Sequence, residues 1–340
     1  SRILGGDPVD MFPYEWDAVP NGVTKEQYQP LDDYLDLSDD IWSDMSDVIE
    51  MFKYKDKHYV VPYCLSDPLL ITYNRSLCEE NGLDDPYELY KKDKWDWDAF
   101  MDMMKTFVSN AKDGETRYGI NGWFGQAMVQ STGETFVKYD GSKFSNNISN
   151  PAIEEAEGVM EEIMSLGLYD PTWYGYLPDD GSTLFFGMAD WALGASNVKA
   201  DPNPDYEDDG FVEENDLMIV PFPKQPGSDE YYLNCNFGAK MLVKNSDKGD
   251  AVAAYIKCER LAAMIDEYKD AAKEKAIIPE VNAQGKLKSY VTEEQYDALQ
   301  DYKNPKNITP VFDFGYGMGS RMYGDGEYTY ETRGVMNNLT

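Results

Sequence analysis

The stretch "YVVPYCLSDPLLITYN", residues 59–74, decides how this chain is read. Its two ends are apolar, while its middle carries Tyr63, Ser66 and Asp67. The pattern predicts two short strands joined by a loop, with residues 69–73 as the second strand. A polar, aromatic loop between two strands that read as buried calls for a function. Asn74 follows as the side-chain cap of a helix that stops at Gly82.

Working outward, strands and helices alternate. "PVDMF" (8–12) reads as a strand, 40–52 as helical, and "YKDKHYVVP" (54–62) as a hairpin turning at Asp56-Lys57. A further helix begins in "DDPYELY" (84–90). Asp96 caps a helix over 97–108, where Phe100, Met103, Met104, Phe107 and Val108 share one face, a core stripe. Residues 117–123 hold a strand and a loop, and 136–145 a hairpin turning at Asp140-Gly141. Asn150-Pro151 opens a helix, cap then proline. "DLMIVPFP" (216–223) and "FGAKMLVK" (237–244) read as strands, and 246–265, 292–302 and 328–339 as helices. Alternation of this kind makes the fold class α/β. At 340 residues, the prior of roughly 100–200 residues per domain favours two lobes or two domains.

Charge narrows the partners. Asp and Glu number 63 against 30 Lys and Arg, a net charge of −33, which repels phosphate backbones and anionic headgroups. The four cysteines, Cys64, Cys78, Cys235 and Cys258, include no C-x-x-C pair and none lies beside the single histidine, His58, so a structural zinc site is not expected. No apolar run reaches the roughly 20 residues that cross a bilayer, and no signal peptide is visible. Arg2-Ile3-Leu4 reads as the end of a helix capped by Gly5-Gly6, so the chain is expected to lack an N-terminal piece.

Catalytic motifs are missing. There is no G-x-S-x-G, H-E-x-x-H or P-loop, and a triad would have to use His58. No carboxylate pair stands out as a glycosidase dyad. Asp201, Asn203 and Asp205, with Glu207 and Asp209, alternate as in a calcium loop, but Tyr206 stands where the turn needs glycine and Val212 where the bidentate glutamate belongs. A solvated acidic loop is the simpler reading, and no cofactor is expected. Aromatic residues make up 14% of the chain and gather in loops beside glycine, proline and polar residues: 13–16, 121–126, 170–178, 234–238 and 313–324. A flat ring offers its face to the C–H face of a sugar, while amides, carboxylates and guanidinium groups bond the hydroxyl rim.

These motifs, taken in order, resemble the extracellular solute-binding proteins of bacterial ABC importers, a family that mostly handles sugars and oligosaccharides. "LGGDPVDMF" resembles the family's Gly-Asp-x-x-Asp strand start, and "QPLDDYLD" its Leu-Asp-Asp-Tyr helix. "YKDKHYVVP" resembles the Tyr-x-Gly-Lys-x-Tyr-x-x-Pro hairpin, with Asp56 for glycine. "LLITYNRSL" resembles the Tyr-Asn-Lys segment, with Arg75 for lysine. "NGLDDPYEL", "KWDWDAF", "IVPFPKQPG" and "VKNSDKGDAVAAYI" follow in the family's order, so the likeness spans most of residues 5–260. The family's first strand–helix–strand is absent, and its Gly-Lys-Ala-Ala-Met signal survives only loosely in "GMADWALGAS".

The resemblance implies two α/β lobes of the type II periplasmic-binding-protein-like fold, closing by a hinge on ligand held between them. Lobe I is expected over 1–115 and 248–311, and lobe II over 116–247 and 312–340. It implies a monomer that hands a carbohydrate to permease subunits from the outer face of the membrane or the periplasm, tethered by a lipid anchor, without catalysis. The expected ligand-binding residues are Tyr14, Trp16, Tyr63, Asp67, Trp123, Phe124, Gln126, Trp173, Tyr174, Asn234, Asn236, Tyr316 and Arg321. Trp95 and Trp97 match a helix start and are expected to be structural. A peptide or polyamine ligand on the same fold, and a secreted glycan-cleaving enzyme, are the other readings.

Overall fold

Leu69–Asn74 is the strand on which one sheet is built. In this computed structural model, which describes residues 9–200 and 216–315, it pairs antiparallel with Thr183–Ala189 on one side and Leu217–Pro221 on the other. Tyr118–Gly122 joins Thr183–Ala189 in parallel and completes the four-stranded sheet. Thr183–Ala189 and Leu217–Pro221 are buried along their whole length, which suits apolar runs without alternation. Helix Trp97–Ser109 packs on Tyr118–Gly122, and helix Glu293–Tyr302 on Leu217–Pro221. The first starts where Asp96 accepts the Ala99 N–H at 3.0 Å, and it buries Phe100, Met103, Met104 and Phe107 as its stripe requires. The second is tied to the sheet by the Tyr302 hydroxyl, which donates to Ile219 O at 3.0 Å, and by Gln295 Nε2, which donates to Leu217 O at 2.7 Å.

A second sheet places Lys240–Val243 between Met11–Pro13 and Tyr28–Gln29, all antiparallel. Helix Gly249–Met264 packs against it. The two bodies are joined by a ribbon in which Cys64–Ser66 pairs antiparallel with Asn236–Gly238. Beside the ribbon, Phe52 stacks on Phe312 at 4.0 Å and meets Phe237 edge-on at 4.8 Å. The buried core runs continuously through Phe52 and Phe237.

Several expectations change. Tyr63 to Asp67 was expected as a loop, but Cys64–Ser66 is itself a strand, because Asn236–Gly238 supplies its hydrogen-bond partner. The turn falls at Asp67-Pro68, with Asp67 at φ +44°. The hairpin at 54–62 reduces to one bridge between Tyr54 and Lys57, turning at Lys55-Asp56 with φ of +49° and +59°. The long helix ends at Met264 and is followed by Asp266–Ala276, which buries no residue and so left no apolar stripe to read. Leu69–Asn74 and Glu293–Tyr302 fall within the expected lobe I, yet both lie on the sheet with strands of the expected lobe II. The hairpin Val137–Tyr139 with Phe144–Asn146 forms as expected: Asp140 Oδ1 accepts the N–H groups of Ser142 and Lys143, each at 2.9 Å. The helix at 328–339 and the helix end at 2–4 lie outside the described residues.

Asp313 fastens the chain beyond strand Thr309–Val311 to that hairpin. Its carboxylate accepts the N–H groups of Phe136 at 2.9 Å, Val137 at 3.3 Å and Gly315 at 2.7 Å. Burial pushes its pKa up, against these bonds, which pull it down. Asp313→Ala strands these donors and is expected to cost about 2–4 kcal/mol in urea unfolding. Against Asp313→Asn, which cannot titrate, the wild type should gain stability as pH falls through the raised folded value, because protonation removes the penalty of the buried charge.

Candidate functional site

In the four-stranded sheet, Tyr118–Gly122, Thr183–Ala189 and Leu217–Pro221 run the same way and Leu69–Asn74 runs against them. Three carboxyl ends and one amino end therefore share an edge, the usual place for a ligand on such a sheet. That edge carries Trp123, Asp190, Trp191 and Asp67. Trp123 N–H donates to Gly187 O at 2.7 Å, and Asp190 N–H to Pro68 O at 3.2 Å. Asp190 is also ion-paired with Lys303 at 2.8 Å. Asp67 is exposed, and Asn236 Nδ2 approaches its Oδ2 at 3.5 Å.

Two glycines permit this crowding. Gly122 sits at φ +88°, and a β-carbon there would lie 2.2 Å from Gly187 O. A β-carbon on Gly187 would lie 2.7 Å from Trp123 O. The chain can therefore turn out of the sheet at Trp123 only with glycine at both positions.

The segment 170–173 runs beside 121–123. Asp170 N–H donates to Ile120 O at 2.9 Å, and Asn121 Nδ2 donates to Asp170 O at 3.0 Å and Thr172 O at 2.6 Å. This registry lays Trp173 on Trp123, with ring centroids 5.4 Å apart and planes inclined by 26°. Trp173 is 53% exposed and Trp191, at the end of Thr183–Ala189, is 57% exposed. Trp16, just past strand Met11–Pro13 of the other sheet, is 44% exposed. Exposed indole faces and the Asp67 carboxylate thus lie at this edge, where Lys303 is already paired with Asp190.

The sequence profile described as bacterial extracellular solute-binding protein matches residues 1–258. The chain belongs to this family. No curated protein matches it in sequence. Among solved structures, it is similar to the sugar-binding protein MalE of Xanthomonas citri, with a TM-score of 0.67 and 14% identity over 99% of this chain and 84% of that one. The galacto-N-biose/lacto-N-biose I-binding protein of a Bifidobacterium longum ABC transporter gives 0.63 and 14%, covering 98% of this chain and 80% of that one. The cyclic α-maltosyl-1,6-maltose-binding protein of Arthrobacter globiformis gives 0.63 and 16%, covering 98% and 84%. The fold of this solute-binding protein is thus the two-lobe α/β fold of periplasmic binding proteins. Among the described residues no helix is long and apolar enough to cross a membrane.

The expected site residues divide. Asp67 and Asn236 come together, as do Trp123 and Trp173. Tyr174 is exposed and lies 6.3 Å from Tyr176, ring to ring. Gln126 is half-buried. Phe124 is 1% exposed and meets Tyr169 edge-on in the core, so it has no face for a ligand. Asn234 is buried, and its amide donates to Gln130 Oε1. Tyr14 packs edge-on against Phe52 at 5.4 Å, a junction role. Tyr63 is half-buried; burial foremost, then the charge of Glu259, pushes its phenol up to about 12, so it stays a neutral hydroxyl. Tyr316, Arg321 and the calcium-loop residues Asp201, Asn203 and Asp205 lie outside the described residues. Among the described residues no group of three or more His, Cys, Asp or Glu could hold a metal ion. Trp95 and Trp97 are buried, their indoles donating to Pro221 O at 2.8 Å and Ser131 Oγ at 3.1 Å, so they are structural. Trp191, which is outside the expected set, also stands exposed at this edge; its signal in the sequence is a tryptophan one residue beyond the continuous apolar strand Thr183–Ala189.

Gly187→Ala should lose about 1–3 kcal/mol of stability, since its β-carbon meets the Trp123 carbonyl. The tryptophan emission should shift along with it, because the same clash displaces the Trp123–Trp173 pair.

Proposed function

We propose that this solute-binding protein captures a neutral carbohydrate between its lobes and passes it to the permease of an ABC importer, making and breaking no bonds. The observation that carries this reading is the set of exposed indole faces at the strand-end edge, with Asp67 and Asn236 among them. Indole faces suit sugar C–H faces, and the carboxylate and amide suit hydroxyls. The solved relatives whose names specify sugars support it. The observed topology favours lobes divided differently from the first expectation: one holds about 9–63 and 239–265, the other about 69–234 and 293–315, with the ribbon between them. A lipid tether on the outer membrane face, a monomeric state and the permease contact belong to the same proposal.

Titration calorimetry with maltotetraose, lacto-N-biose and β-1,6-galactobiose tests this, with each mixture assayed for cleavage. Saturable binding without products is expected; products would make the chain an enzyme, and binding of a polyamine or peptide instead would change the ligand class. For the sugar that binds, Asp67→Asn and Trp191→Ala should each weaken affinity about 10–100-fold, or about 1.4–2.8 kcal/mol. Unchanged affinity would remove that residue from the site.

A further inference from the structure

Asp67 and Trp191, two exposed groups at the strand-end edge, flank a single junction. Pro68 follows Asp67 and Asp190 precedes Trp191, and the Asp190 N–H donates to Pro68 O at 3.2 Å. Asp190 Oδ2 is met by Lys303 Nζ at 2.8 Å. The two side chains are largely withdrawn from water, Lys303 at 21% and Asp190 at 13% exposed. Such a pair gains little net stability over apolar residues of the same size, while loss of one partner strands the other charge. Stability alone is therefore a weak reason for an ion pair at this position.

Lys303 reaches the edge from outside it. It directly follows helix Glu293–Tyr302, and its N–H donates to Leu299 O at 3.0 Å. Tyr302 beside it is fully buried and bonded to Ile219 O at 3.0 Å. The root of the lysine is thus fixed to the sheet, and the carboxyl end of the helix favours its positive charge. The ammonium also stands near the ribbon. Lys303 lines one cavity with Cys64 and Leu65. Burial foremost pushes the thiols of Cys64 and Cys235 up, and the Lys303 charge is the strongest influence pulling each back down. Helix end, strand end and ribbon therefore meet at this one cation.

Trp191 depends on that meeting point. Its ring is 57% exposed, so its direction is set through its backbone. That backbone is the short turn Asp190–Ala192, which Asp190 opens and whose Leu193 N–H donates to Asp190 O. We propose that Lys303 is a positioning residue of the ligand site: through Asp190 it holds the Trp191 indole at the edge, at a fixed separation from Asp67. The proposal rests on the carbohydrate reading and deepens it, since a sugar stacked on Trp191 and bonded to Asp67 needs both groups in one register.

A thermodynamic cycle tests this. Calorimetry with maltotetraose, lacto-N-biose and β-1,6-galactobiose compares the wild type, Lys303→Met, Trp191→Ala and the double variant. For a sugar that binds, Lys303→Met should weaken affinity about tenfold in the wild type and less than about twofold in Trp191→Ala, because a residue that acts through Trp191 has nothing to act on once the ring is gone. A lysine that only stabilises the fold would weaken both backgrounds alike. That result, or an unchanged affinity in the wild-type background, overturns the proposal and leaves the carbohydrate reading intact. If Lys303→Met does not fold, Asp190→Asn breaks the same pair from the other side and takes its place in the cycle. If none of the three sugars binds, that reading loses its support and the positioning is judged in the free protein by ¹⁵N signals of the indoles. The chain has seven tryptophans, and Trp191→Phe identifies the Trp191 signal. Breaking the ion pair should move that signal and leave those of the buried Trp42, Trp95 and Trp97 in place. An unmoved Trp191 signal, or a shift of all the signals alike, overturns the proposal.

Discussion

Leu69–Asn74 is hydrogen-bonded along both edges, and the segment before it, Cys64–Ser66, is hydrogen-bonded to Asn236–Gly238. Only Asp67 and Pro68 separate two paired strands that belong to different parts of the molecule. The backbone there has no freedom to drift, and Asp67 holds a left-handed φ of +44°, which a non-glycine residue adopts only when its surroundings enforce it. The carboxylate thus stands at the junction of the two bodies, beside the carboxyl ends of the neighbouring strands. The Asp190 bond to Pro68 O then brings Trp191 to the same edge.

Local elements were legible, and their assembly was only partly so. The helix at 97–108 announced itself by a cap and a complete apolar stripe, and the hairpin at 137–146 by Asp140-Gly141. The strand Cys64–Ser66 could not be read, because it is made by a partner about 170 residues away and its own residues alternate without a strong apolar signal. The pairing of Leu69–Asn74 with strands more than 100 residues away could not be read for the same reason: sheet membership is a long-range property. Within loops, residues adjacent in sequence take different environments that polarity does not distinguish. Trp123 and Phe124 are adjacent, yet one stacks at the edge and the other is sealed in the core. Asn234 and Asn236 look equivalent in sequence, but one serves Gln130 and the other faces Asp67. The family resemblance in the ordered motifs supplied the two-lobe architecture that periodicity alone left open.

The charge of −33 bears on the ligand through the few cations. Among the described residues, each arginine is already engaged. Arg75 pairs with Asp85 and Glu294, and Arg117 pairs with Glu115 and bonds Asn81. Arg260 is buried against Asp44, Ile41 O and Tyr63 O. Freeing any of them for an anionic ligand would leave a carboxylate or carbonyl unpaired, a cost of the order of several kcal/mol where the pair is buried. Electrostatics therefore works against acidic solutes and is indifferent to neutral ones.

Aromatic side chains complete the argument by where they are left. Phe52 and Phe237 are buried at the junction, with the partly buried Phe312 packed against them, and the core runs through them without a break. Trp16, Trp173 and Trp191 keep about half their surface in water. Each therefore forgoes about 1 kcal/mol of burial that a core position would supply. A fold with a well-filled interior gains nothing from three such rings, whereas a site for a ligand with flat C–H faces recovers that energy on binding.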